Sequence, residues 1–237
     1  MKIGIIPVNV GYTSVDQIVA VAQAAEAAGF ESAWTFEHVM VPAEYDSRYP
    51  YSGSGKMGVA PEVNFIDPLI ALATIAAHTT RLRLGTGVNI LPQSNPLLLA
   101  KQAASLDLVS GGRFMLGVGI GWLAEEFRAM GVPFEHRGAR FDDYISAMKM
   151  VWSGELVEHR SALLDWSGFK SYPLPVQKPF PVIIGGSKGK AFERMGKLDE
   201  AVAAYKQGAA QNPGDGMTGR LLANAMASSR PRWAVAP

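Results

Sequence analysis

Near-continuous apolar runs alternate along most of the chain with stretches whose apolar residues recur every three or four positions. Lys2–Pro7 is a short β-rich run. Ser14 and Gln17 then form a capping-box pattern ahead of Ile18, Val21, Ala22 and Ala25 on one helical face, with Gly29 as the stop. A second strand, Glu31–Phe36, ends at Glu37 and His38. A loop rich in Tyr, Gly and Pro spans Pro42–Pro61, and a helix runs from Asp67 to Ala77 with Pro68 at its first position. The third unit is the strand Leu82–Val88 followed by a helix over Pro96–Leu108. The fourth is Arg113–Gly121, with helices over Ala124–Met130 and Phe141–Trp152. A fifth strand, Pro181–Gly186, follows a Pro-rich approach.

Apolar strands separated by helical patterns predict a parallel sheet covered by helices. Polar or Gly-rich residues at the carboxyl ends of the later strands favour a (β/α)8 barrel over a doubly wound sheet, because barrel sites are built there. The composition agrees: the 237 residues are 48% apolar and 18% charged, enough to bury a sizeable core. A net charge of +1 offers no global attraction for nucleic acid or anionic lipid. The absence of Cys excludes disulfides, a thiolate nucleophile and thiolate metal sites. The first residues lack a signal-peptide pattern and no run of 18 apolar residues occurs, so the expectation is a cytoplasmic protein.

Candidate chemistry clusters at the strand ends. Gly117, Gly119 and Gly121 alternate along the fourth strand, which either admits a flat ring or phosphate to the backbone or marks a tight β-to-α corner. Their spacing does not fit a dinucleotide-binding turn. His38 stands at the end of the second strand, where an imidazole serves as a proton donor, a hydrogen-bond donor to a cofactor or a loop anchor. His78, His136 and His159 read as surface residues. Asp142 and Asp143 read as helix-start charge, Trp34 and Trp152 as core, and Trp122 as either pocket border or core.

Taken together, several motifs resemble the luciferase-like monooxygenase superfamily. They are Thr35-Phe36-Glu37-His38-Val39, Leu84-Gly85-Thr86-Gly87-Val88 with Asn95-Pro96, and Leu106-Asp107-Leu108-Val109-Ser110-Gly111-Gly112-Arg113 running into Leu116-Gly117-Val118-Gly119-Ile120-Gly121-Trp122. Glu125-Glu126-Phe127, Arg137-Gly138-Ala139-Arg140 and Pro181-Val182-Ile183-Ile184-Gly185-Gly186-Ser187 complete the set. The pattern is most similar to the branch that uses coenzyme F420. The resemblance implies a TIM barrel binding a deazaflavin at its carboxyl-terminal face, with FMN as the alternative cofactor in a monooxygenase. It implies catalytic roles for His38 and Glu37 and a cofactor bed of Thr86, Gly87, Val88, Gly119, Ile120 and Gly121. It also implies a cis Gly87–Val88 peptide and a phosphate cradle at Gly185, Gly186 and Ser187. Trp122 occupies the place where the sugar-phosphate dehydrogenases of the superfamily carry a Glu, which points to a hydrophobic acceptor or an enoyl-type reduction.

Composition shifts after Ser187. Residues 188–237 carry +4 and residues 1–187 carry −3. The expected organisation is a luciferase-like portion over 1–187, apparently truncated after the fifth strand, and a helical segment over 188–237. Within the latter, residues 189–213 resemble one tetratricopeptide repeat. A single repeat cannot bury its own apolar face, so these helices are candidates for contact with a protein partner or a second copy. An alternative to catalysis is therefore a silent barrel acting as an interaction scaffold, its open strand edges pairing with another chain.

Overall fold

A computed structural model describes residues 2–186 and 197–211. The chain divides into two compact units, Met1–Val182 and Ile183–Pro237. In the first, the strands are β1 (Gly4–Ile5), β2 (Ser32–Thr35), β3 (Arg83–Thr86), β4 (Asn89–Ile90) and β5 (Phe114–Gly119). Their pairings are parallel: β1 with β2, β2 with β3, and β5 with both β3 and β4. Leu84 and Gly85 pair with Phe114 and Met115, whereas Asn89 and Ile90 pair with Val118 and Gly119. β3 and β4 are thus two halves of one barrel strand, interrupted at Gly87–Val88, where the peptide is cis as the resemblance implied.

Helices α1 (Val15–Ala27), α2 (Pro68–His78) and α3 (Pro96–Val109) follow β2's predecessor, β2 and β4 in alternation. Each start is a side-chain cap: Ser14 accepts from Gln17, Asp67 from Leu69 and Ile70, and Asn95 from Leu97 and Leu98. The capping box at α1 is displaced by one residue, since the Gln17 side chain accepts from Thr13 N–H rather than Ser14. After β5 come α4 (Ala124–Ala129) and α5 (Arg137–Ser153). Helix α5 starts four residues before the predicted Phe141, so Asp143 lies in its second turn and pairs with His159 at 2.8 Å instead of marking a helix start.

That His159 lies on an antiparallel hairpin, β6 (Val157–Arg160) and β7 (Asp165–Phe169), which the sequence reading did not include. The Pro181 carbonyl accepts from Leu116 N–H, and β8 (Val182–Ile184) pairs with β5. The second unit contains α6 (Leu198–Gln211), with Asp199 and Glu200 in its first turn. The other helices proposed for the repeat-like segment, and Ser187, lie outside the described residues.

The core fills the space between sheet and helices. Phe114, Leu116, Leu84, Leu72, Ile75, Phe141 and Met148 belong to it, all essentially inaccessible. Phe127 and Leu123 of the α4 turn are equally buried. At about 25 cal/mol per Å2 of apolar surface, such side chains contribute roughly 1.5–3 kcal/mol each. Among the largest fully buried side chains one is charged: Glu126, at 1% exposure.

Candidate functional site

Glu126 sits in the first turn of α4, directly behind the Gly-rich end of β5, and its carboxylate is a hub. Oε1 accepts from Val39 N–H at 2.5 Å and Met40 N–H at 3.3 Å; Oε2 meets His38 Nδ1 at 3.1 Å and the Gln93 amide at 3.4 Å. His38 leaves the end of β2 and is 10% exposed at its side chain. Phe65 and Trp122 present edge-to-face contacts to its ring, with centroids 5.5 and 6.0 Å away. Tyr45 and Tyr49 continue this aromatic wall from Trp122, at 5.8 and 5.1 Å. Trp122 therefore borders the site, one of the two readings its sequence position allowed.

Glu37, next to His38 in sequence, is held by other partners. It accepts from the Asn89 amide at 2.7 Å and from the Ile90 N–H, both on β4. Removal from water pushes its carboxyl up to about 8; the Ile90 N–H works against this, and the charges of Glu126 and Asp67 add to it. Thr35 Oγ1, Asn89 Oδ1, Gln93 Oε1 and Glu125 Oε2 are buried without hydrogen-bond partners among the described residues. Asn9 ties the segment after β2 to the stretch before α2: its amide donates to the Phe36 and Ile66 carbonyls and its oxygen accepts from Phe36 N–H.

The alternating glycines have a different explanation from an open bed for a ring. A Cβ at Gly117 would collide with the Thr86 carbonyl oxygen. At Gly119 it would lie 2.6 Å from the Val88 side chain, and at Gly121 2.7 Å from Ile90 and Phe127. The interrupted strand β3–β4 occupies the space that side chains on β5 would need. Gly121 also adopts φ +75, which favours glycine, and its carbonyl accepts from Arg137. Thr86 is fully buried and donates to the Gly117 carbonyl at 2.7 Å. Gly87, Val88, Gly119, Ile120 and Gly121 thus share one end of the sheet with Glu37 and His38. Gly185 and Gly186 follow β8 in the second unit.

A cleft of about 540 Å3 opens within the loop after β2, lined by Pro42, Ala43, Tyr45, Lys56, Met57 and Val59 among others. The loop is anchored beside it. Glu125 accepts from the N–H groups of Asp46 and Ser47 at 2.8 and 3.1 Å. Burial pushes the Glu125 carboxyl up, but the Ser47 hydroxyl and these N–H groups outweigh it and hold the group at about 2. The sequence reading overlooked Glu126, Asn89, Gln93 and Phe65. Only the quoted Glu125-Glu126 pair offered a signal, because a Glu destined for burial beside a Phe needs partners.

The family model for luciferase-like monooxygenases matches residues 4–212, so the chain belongs to that family. The match includes most of the stretch that resembles a tetratricopeptide repeat. An uncharacterised protein of Mycobacterium tuberculosis is 37% identical over 181 residues, 76% of this chain and 62% of that protein. The oxygenase component of a flavin-dependent trigonelline monooxygenase from Acinetobacter baylyi is 29% identical, covering 71% of this chain and 42% of that protein. Among solved structures, an F420-dependent secondary alcohol dehydrogenase in complex with an F420–acetone adduct superposes with a TM-score of 0.67 at 19% identity, over 82% of this chain and 55% of that one. The chain thus spans 62% or less of the length of these relatives, and this structural likeness concerns the fold. Among the described residues no helix is long and apolar enough to cross a membrane.

Proposed function

We propose that this chain binds coenzyme F420 at the carboxyl ends of β2, β3–β4 and β5 and serves hydride transfer between that deazaflavin and a small organic substrate. The observation that carries this reading is the buried His38–Glu126 pair, enclosed by Phe65 and Trp122 beside the end of the sheet. A hydride moving to or from a carbon bearing oxygen requires a proton to move at that oxygen, and an imidazole backed by a carboxylate handles such a proton.

The residues fit the cofactor's chemistry. The pyrimidinedione edge of a deazaflavin carries an N–H between carbonyl groups, and the region holds the unpartnered acceptors Asn89 Oδ1 and Gln93 Oε1 together with the unpartnered Thr35 hydroxyl. Thr86, Gly87, Val88, Gly119, Ile120 and Gly121 would border the ring. When bound, the deazaflavin supplies the carbon that takes or gives the hydride. The protein's own share is threefold. His38 moves the proton, Glu37 stores one at neutral pH, and Trp122, Tyr45 and Phe65 keep water from the reacting carbon. This apolar wall suits an apolar substrate.

The second reading is an FMN-dependent monooxygenase, favoured by the likeness to the flavin-dependent trigonelline enzyme. Fluorescence titration of the purified chain with F420 and with FMN separates the two. The expected result is saturable F420 binding and F420-linked turnover that His38→Ala sharply lowers. Saturable binding of FMN alone transfers the site to the second reading, and binding of neither removes both.

A further inference from the structure

We infer that Glu126 is a positioning residue that fixes the tautomer of His38, placing the ring proton on Nδ1 and leaving Nε2 as the atom that exchanges a proton in the site. The Glu126 carboxylate already accepts from Val39 N–H, Met40 N–H and the Gln93 amide. A carboxylate accepts and does not donate, so in its contact with Nδ1 the imidazole is the donor. No other hydrogen bond of His38 to a described residue competes for the ring. Nε2 then holds the lone pair when the ring is neutral and the proton when it is charged. One proton is exchanged between Nε2 and the substrate oxygen, with no change in electron count.

A Glu126→Gln substitution gives a specific expectation. Val39 and Met40 both donate to Oε1, so the single oxygen of the new amide is held there. Its NH2 group then faces Nδ1, which can only accept, and the ring switches to the Nε2–H tautomer. Gln93 can turn its unpartnered Oε1 toward the new NH2 group. The Nε2 lone pair is lost to the reaction while the fold keeps its bonds.

The test is 15N NMR of the histidine-labelled full chain at a pH where imidazoles are neutral, with the His38 signals assigned by their absence from His38→Gln. Wild type is expected to show the Nδ1–H pattern and Glu126→Gln the Nε2–H pattern. Glu125→Gln, which loosens the neighbouring loop anchor without touching the imidazole, is expected to keep the wild-type pattern. Nε2–H in wild type, or an unchanged ring in Glu126→Gln, overturns the inference. The wild-type spectrum decides even if Glu126→Gln fails to fold. The inference depends on the redox reading only for its consequence: about 10²–10⁴-fold lower turnover in Glu126→Gln with cofactor affinity preserved. Absence of cofactor binding, alongside the expected tautomers, would defeat the redox reading and leave the positioning role intact.

Discussion

The two ends of the sheet use the same device for different purposes. At the amino end, carboxylates gather backbone N–H groups and every partner is satisfied. Glu26 accepts from Thr80, Arg81 and Leu82, and Asp107 accepts from Val176 N–H, Gln177 N–H and the Gln177 amide. Arg113 completes that end with bonds to Ser110, Thr79, Leu82 and Ala76. At the carboxyl end, Glu126 and Glu37 also gather N–H groups, yet Asn89, Gln93 and Thr35 keep unpartnered atoms and Glu37 is displaced to about 8. Complete satisfaction marks a part that holds the structure together. Incomplete satisfaction of buried polar atoms is what a ligand-binding end would show.

The comparison can be broken most sharply at His38. His38→Ala is expected to lower turnover by about 10²–10⁴-fold while leaving urea unfolding within about 1 kcal/mol of wild type; a large loss of stability would place His38 with the structural end. Asp107→Ala should do the opposite. Three part-buried donor contacts are lost, the Gln177 amide keeping the Phe114 carbonyl, and at about 1 kcal/mol each the unfolding free energy should fall by about 2–3 kcal/mol.

Glu37 gives a smaller, pH-dependent effect. The folded chain keeps its proton up to about 8, whereas the unfolded chain releases it near the ordinary 4.5. The folded state therefore binds the extra proton between those values, and Glu37's contribution to stability falls as pH rises through that window and levels off above it. The slope is at most about 1.4 kcal/mol per pH unit. Glu37→Gln should remove this slope from a series of denaturant melts; an unchanged profile would assign Glu37 to the satisfied class. The least effect is expected of Glu125→Gln, with unfolding within about 1 kcal/mol but faster limited proteolysis between Pro42 and Pro61.

Strands and helices were legible because their signals are local: the Ser14 cap, Pro68 and Pro96 at helix starts, and the apolar runs of β2, β3 and β5. The β6–β7 hairpin was not, since Val157–Phe169 mixes charged and aromatic residues without clean alternation. His38 stood out by its place at a strand end. Glu126 did not, because its meaning depends on partners 33, 86, 87 and 88 residues away. The glycines of β5 were visible as a pattern whose use was not: the neighbour filling each gap belongs to β3, to β4 or to the turn between them, with Phe127 of α4 beside Gly121. The family motifs bridged part of that distance by naming which strand ends converge.

The adjacent Glu125 and Glu126 tether one loop at two points, Val39–Met40 and Asp46–Ser47. Downstream of the second tether the loop lines the cleft through Lys56, Met57 and Val59 and returns to the surroundings of the imidazole through Tyr49, which packs on Trp122, and Phe65, which packs on His38 itself. The cleft and the aromatic wall are therefore coupled through one loop: Lys56 and Met57 hold Tyr45, and Tyr45 and Tyr49 pack on Trp122, so a new sequence grafted between Tyr49 and Val59 changes the cleft and the wall of the imidazole together.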